Sequence, residues 1–167
     1  MAEGKNRGIQ SLSVLIIDDD RDILELMKDI LKRLGFNKIQ TSTNADRALE
    51  IVSASEIDLV ICDWRMPGMS GLEFTRHIRN LALSRNTFLN IIMLTGNAEL
   101  KNITEARDAG VTEYLIKPFT VKDFCNKIFE VIENPREFVI SDRFKGPSRR
   151  RKEGTPPDGI EKRRPRS

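Results

Sequence analysis

Four apolar runs in this chain each end on residues able to do chemistry. SVLII, from Ser13 to Ile17, runs into Asp18-Asp19-Asp20, and LVIC, from Leu59 to Cys62, ends at Asp63. NIIML, from Asn90 to Leu94, ends at Thr95-Gly96, and EYLI, from Glu113 to Ile116, ends at Lys117-Pro118. Each run suits a short buried strand and is too short for most helices. Carboxylates gathered in one place repel by roughly 4 kcal/mol per pair at close range near a protein surface. A cation offsets that repulsion, and an all-oxygen acidic site with room for water suits Mg²⁺. A lysine and a hydroxyl beside such a centre are the groups that hold an anionic phosphoryl group and stabilise its transfer. Singly the signals are weak, since an acidic triplet is usually a solvated turn and Lys-Pro usually a loop. Their recurrence at successive strand ends makes coincidence improbable.

The segments between these runs must bring the ends together. Ile23, Leu26, Met27, Ile30, Leu31 and Leu34 mark one face of a helix that Gly35 can cap. Lys38 to Thr41 reads as a short strand, and Asn44 can cap a helix burying Ala45, Ala48, Leu49 and Val52. After Asp63 the chain turns through Met66-Pro67-Gly68 and Ser70-Gly71, then enters a helix to about Asn80 with Leu72 and Ile78 inward. A fourth helix runs from about Ala98 to Ala109, stopped by Gly110. Thr120 with Asp123 caps a fifth, to about Glu133, that buries Phe124, Ile128, Val131 and Ile132. Strands alternating with helices call for a parallel sheet covered on both faces, with right-handed crossovers. In such a sheet all strand carboxyl ends share one edge, which is where open α/β sheets bind ligands.

With 167 residues, 39% of them hydrophobic, the chain can build one core and carry a tail. No apolar run approaches the roughly 18 residues of a membrane span, and residues 1–11 lack the apolar stretch of a signal peptide, so a cytoplasmic location is expected. Cys62 and Cys125 have no metal-ligand spacing and read as buried reduced thiols. The net charge of +3 is unevenly spread: residues 134–167 hold 11 Lys/Arg against 5 Asp/Glu, which leaves 17 against 20 for residues 1–133. The expected division is a flexible lead-in over 1–11, a domain over 12–133 and a basic, partly disordered tail over 134–167. Within that tail EFVI (Glu137 to Ile140) and Phe144 form an apolar patch able to fold back on the body or serve a partner. GPSRRRK and GIEKRR form a faint basic repeat, suited to an acidic partner such as nucleic acid, acidic lipid or an acidic protein face. With no aromatic residue after Phe144 and no helix-turn-helix, specific base readout is not expected.

VLIIDDD, LVICDWRMPGMSG, IIMLTGN and YLIKPFT together resemble the receiver domain of bacterial two-component response regulators, of the single-domain chemotaxis type, over residues 12–133. The resemblance implies a flavodoxin-like (βα)5 fold with strand order 2-1-3-4-5. It also implies a phospho-accepting signalling protein that does not turn over a substrate. Asp63 would be the acceptor, attacking the phosphohistidine of a histidine kinase or phosphotransfer protein. Asp19 and Asp63 would ligate Mg²⁺ directly, Asp18 through water, and the Arg65 backbone carbonyl would complete the protein ligands. Lys117 would pair with phosphoryl oxygens, ahead of a cis bond to Pro118, while Thr95 swings to the phosphoryl group and Tyr114 turns inward behind it. Gly96 would leave the approach open, and Arg65 and Asn97 would tune how long the phosphoryl group lasts. A downstream protein would read the state on the face made by the fourth helix, fifth strand and fifth helix. Asp20 falls outside this set and can cap the first helix instead.

Two other classes compete. A phosphatase with a nucleophilic Asp is disfavoured because no acidic residue stands two positions after Asp63. A nucleic-acid or acidic-surface binder, regulated by the receiver and acting through the basic tail, is the alternative. His77, the only histidine, reads as a surface or packing residue, since no Gly-rich phosphate loop accompanies it. Trp64 reads as a packed aromatic well placed to report on its neighbour Asp63.

Overall fold

The computed structural model describes residues 8–81, 85–96 and 100–148. Five strands, β1 (Ser13–Ile17), β2 (Lys38–Ser42), β3 (Leu59–Asp63), β4 (Asn90–Thr95) and β5 (Glu113–Ile116), alternate with five helices. The helices are α1 (Arg21–Leu34), α2 (Ala45–Ala54), α3 (Gly71–Asn80), α4 (Leu100–Ala109) and α5 (Val121–Glu133). The sheet is parallel in the order β2-β1-β3-β4-β5, the flavodoxin-like arrangement expected from the sequence.

Burial on both faces explains why the central strands read as unbroken apolar runs. Leu15, Ile17, Val60, Cys62, Ile91 and Met93 face a core closed by α2, α3 and α4. Val14, Ile16, Leu59, Ile61, Ile92 and Leu94 face the other, closed by α1 and α5. Local chemistry sets the helix ends. Asp20 caps α1 by accepting from the amides of Asp22 and Ile23, and Gly35 ends it at φ 103°. Asn44 caps α2, while Ser70 with Glu73 and Thr120 with Asp123 form capping boxes on α3 and α5.

Regular structure extends beyond the expected 12–133 at both ends. Ile9–Ser11 form a single 3-10 turn, and Ile9 and Leu12 pack on the α1/α5 core. Past α5, β6 (Phe138–Ile140) and β7 (Lys145–Pro147) form an antiparallel hairpin. Of the apolar patch seen in the sequence, Phe138 folds back on the body, while Val139 and Ile140 are exposed. Phe138 lies 4.9 Å from the guanidinium carbon of Arg79 and edge-on to Phe88 at 5.3 Å. Arg79 is buried, donating from Nε to the Gly110 carbonyl at 3.0 Å and from a terminal nitrogen to that of Thr87 at 2.8 Å. Burial lowers its pKa to about 9, which leaves it charged at neutral pH. Arg136 secures the hairpin's root by donating to Glu113 at 2.6 Å. Residues 1–7 and 149–167, including both basic runs of the tail beyond Ser148, lie outside the described residues.

Candidate functional site

The carboxyl ends of β1, β3, β4 and β5 deliver their polar residues to one edge of the sheet. Asp18 follows β1 and is 2% exposed, Asp63 closes β3 at 8%, and Thr95 closes β4 at 4%. Asp19 is exposed beside Asp18. Asp18, Asp19 and Asp63 each offer a carboxylate oxygen, and these three atoms lie within 4.8 Å of one another. Lys117, one residue past β5, donates from Nζ to Asp63 Oδ1 at 2.9 Å and stands 3.6 Å from Asp18 Oδ2.

Among the described residues the electrostatics are unbalanced in one direction, with three carboxylates facing a single ammonium. Burial raises the Asp18 pKa above the ordinary carboxylate value. The Asp20 amide, donating to Oδ1 at 2.9 Å, works against that rise, and the charge of Asp63 adds to it. The other oxygen, Oδ2, is buried without a hydrogen-bond partner among the described residues. Burial also works against the charge of Lys117, but its hydrogen bond to Asp63 and the two nearby carboxylates hold its pKa above the usual lysine value. An orphaned buried carboxylate oxygen beside two further carboxylates is a donor set that fits a hard divalent cation. The residues present therefore suit Mg²⁺.

The other residues singled out in the sequence are placed as follows. Thr95 and Lys117 are tied through the backbone, the Lys117 amide donating to the Thr95 carbonyl at 2.7 Å. Lys117-Pro118 is cis. Gly96 and Arg65 are exposed at the same edge. Tyr114 is half-buried against the core on the α2, α3 and α4 side. Asn97 lies outside the described residues. Trp64 packs on the same core as Tyr114 and donates its amide to the Leu94 carbonyl at 2.9 Å. His77 is exposed on α3, away from this edge. Cys62 and Cys125 are free thiols, and burial pushes the Cys62 thiol up.

Two features escaped the sequence reading. The Asp20 amide occupies one oxygen of Asp18, a turn contact that residue types alone do not announce. Arg79 sits buried beside Ile78, although a charged residue in a helix's last turn ordinarily reads as solvated. A cavity of about 830 Å³ lies between the end of α5 and the hairpin, lined by Glu113, Glu130, Glu137 and Ser148 among others. It opens near the amino end of β5, on the opposite edge from the acidic cluster.

Comparison with known proteins agrees with this geometry. Residues 14–129 match the family described as the response regulator receiver domain. A chemotaxis protein CheY-3 of Vibrio cholerae is 36% identical over 124 residues, covering 72% of this chain and 94% of that protein. A chemotaxis protein CheY of Pseudomonas aeruginosa is 34% identical over 122 residues, covering 73% and 97%. Among solved structures, Vibrio cholerae CheY4 superposes with a TM-score of 0.67 at 28% identity, over 72% of this chain and 98% of the other. A CheY-like receiver domain protein of Methanospirillum hungatei gives 0.66 at 31% identity, over 74% and 95%. The β6–β7 hairpin lies beyond the last residue of the family match.

Proposed function

Because this chain belongs to the response regulator receiver domain family, we propose that it takes a phosphoryl group onto Asp63 in a Mg²⁺-dependent step and signals by changing its protein partners. The single observation that carries this reading is the arrangement at the sheet edge. Asp63 is held at 2.9 Å by Lys117, with Asp18 and Asp19 close enough to share a cation with it.

Asp63 presents a carboxylate at the mouth of the site, where a phosphohistidine of a histidine kinase or phosphotransfer protein can approach. A carboxylate oxygen forms the new O–P bond as the P–N bond breaks, and the leaving electron pair stays on the imidazole nitrogen. Lys117 holds the acceptor in place and offers its ammonium to the arriving phosphoryl oxygens. Thr95, at the end of the neighbouring strand, supplies a hydroxyl to the same group, and exposed Gly96 leaves the approach unobstructed. When bound, Mg²⁺ supplies charge neutralisation for the transferred group. Asp19, Asp63 and the Arg65 carbonyl would hold it, with Asp18 acting through water.

The modified state then biases an existing equilibrium between conformations. Thr95 and Tyr114 would carry the change to the surface of α4, β5 and α5, where Ile116 and Val121 are exposed apolar side chains. Arg65 and Asn97 would set the lifetime of the aspartyl phosphate. We read the chain as a cytoplasmic signalling protein with no substrate turnover of its own. No helix among the described residues is long and apolar enough to cross a membrane.

The charge of residues 134–167, with 11 basic against 5 acidic side chains, supports a second element of function. The tail would bring the receiver to an anionic partner, so the domains are a short lead-in, a receiver and a basic extension whose first part is the hairpin. Transfer of label from a phosphorylated histidine kinase to wild-type protein, and its absence with Asp63→Asn, tests the core of this reading.

A further inference from the structure

Gly71 stands against the back of the proposed phosphoryl acceptor. It is the first residue of α3, buried, and its amide donates to the Trp64 carbonyl at 2.9 Å. A Cβ added there would lie 2.3 Å from the backbone carbonyl oxygen of Asp63. The same atom would meet the Met93 sulfur at 2.9 Å and the Cys62 sulfur at 3.0 Å. Favourable contacts of a carbon with another heavy atom lie at about 3.5 Å, so the overlap with Asp63 exceeds about 1 Å.

What must yield is the question that decides the consequence. The Met93 sulfur is part of a flexible side chain and can turn aside. The Asp63 carbonyl belongs to the central strand, paired with β1 on one side and β4 on the other. It also accepts from the Cys62 thiol at 3.3 Å. The start of α3 is pinned too, by its capping box and by the Gly71–Trp64 bond. With both partners held, a side chain at position 71 is relieved mainly by tilting the peptide that carries the Asp63 carboxylate.

We infer that Gly71 is a positioning residue for Asp63, keeping its carboxylate on Lys117 and the cation site by leaving room for the Asp63 carbonyl. The inference rests on Asp63 being the acceptor. It explains the bare Gly71 by close approach, with no need for the backbone freedom glycine offers, since its φ is not positive. A misplacement of about 1 Å at a reacting group can cost on the order of a hundred-fold in rate.

The test compares Gly71→Ala with Gly35→Ala, a control at a helix end where φ is 103° and nothing lies within 4 Å of an added Cβ. Gly35→Ala strains the backbone without crowding Asp63. For each protein one measures thermal stability, the Mg²⁺ midpoint by Trp64 fluorescence and the rate of labelling by acetyl phosphate. The expected result is that Gly71→Ala weakens Mg²⁺ binding and slows labelling by on the order of a hundred-fold, while Gly35→Ala loses stability but keeps both. Should Gly71→Ala not fold in plain buffer, it and wild type are compared in a stabilising osmolyte such as trimethylamine N-oxide and scored by the same criteria. Labelling and Mg²⁺ midpoint of the Gly71 variant within about threefold of wild type would overturn the inference, as would an equal loss in Gly35→Ala. Wild-type protein that takes no label contradicts the reading of Asp63 instead, and the Mg²⁺ midpoints then decide the role of Gly71.

Discussion

Lys117 Nζ reaches Asp63 Oδ1 at 2.9 Å across the end of β4, joining two strands that are not neighbours in the sheet. The same ammonium stands 3.6 Å from Asp18 Oδ2, so one cation serves two buried carboxylates.

Removing that cation leaves both acids to repel each other. Breaking a buried ion pair costs about 3–5 kcal/mol, but Lys117 is 33% exposed and solvent screens part of the loss. Lys117→Ala is therefore expected to lose about 1–2 kcal/mol in Mg²⁺-free buffer, by denaturant titration, and to regain part of it when Mg²⁺ is added. The variant should still take label from acetyl phosphate. It should no longer show the spectral change of α4, β5 and α5 that a phosphoryl mimic such as beryllofluoride is expected to cause in wild type. An unchanged midpoint and an intact response would mean that Lys117 is a bystander.

The acidic cluster predicts a weak Mg²⁺ site reported by Trp64, which follows Asp63 directly in the chain. Titration should change Trp64 emission in wild type and raise the melting temperature, since a ligand that binds only the folded state stabilises it. Asp19→Asn should respond to neither. If that variant titrates like wild type, the ion is held elsewhere.

Phe138 and Arg79 make the hairpin part of the folded body. Truncating Phe138 to Ala removes an aromatic pair worth about 0.5–1.5 kcal/mol and a desolvated cation–π contact worth about 2. A combined loss of about 2 kcal/mol is expected, given partial exposure of the ring. Labelling of Asp63 should be unaffected, because Arg79 and Gly110 lie toward the edge opposite the acidic cluster. Loss of labelling at unchanged stability would show the hairpin to be coupled to the site.

The position of β7 sets where the basic tail can be removed cleanly. A cut before Lys145 would delete a strand, whereas one after Ser148 leaves the hairpin whole. Residues 149–167 carry 8 basic and 3 acidic side chains. A chain ending at Ser148 should keep its melting temperature and Mg²⁺ midpoint yet lose retention on an anionic matrix such as heparin. Full-length protein should be retained at 0.1 M salt and released toward 1 M, as the Debye length falls from about 10 Å to about 3 Å. Retention indifferent to both salt and truncation would remove the tail from the account.

Much of this was legible in the chain because the relevant physics is local. The runs ending at Asp18, Asp63 and Thr95 are apolar for the same reason they are strands, being buried on both faces, whereas the run ending at Lys117 is an edge strand whose Ile116 is exposed. Strand alternation with helices then fixes which ends share an edge, so the polar residues could be grouped before any distance was known. The hairpin was only partly legible. EFVI and Phe144 marked an apolar patch, but its seat depends on Arg79 and Gly110, residues distant in sequence whose types suggest a solvated helix end and a turn. Gly71 likewise read as a turn-former. Its proximity to the Asp63 carbonyl is a three-dimensional contact with no periodicity to announce it.

The central claim is that Asp63 accepts the phosphoryl group. Wild-type protein treated with acetyl phosphate and Mg²⁺, then reduced with borohydride and digested, should yield a peptide in which residue 63 has become homoserine. The same treatment without Mg²⁺, or of Asp63→Asn, should leave that position unmodified. Label of equal stoichiometry on Asp63→Asn, or homoserine at Asp18 or Asp19 in wild type, would contradict the account.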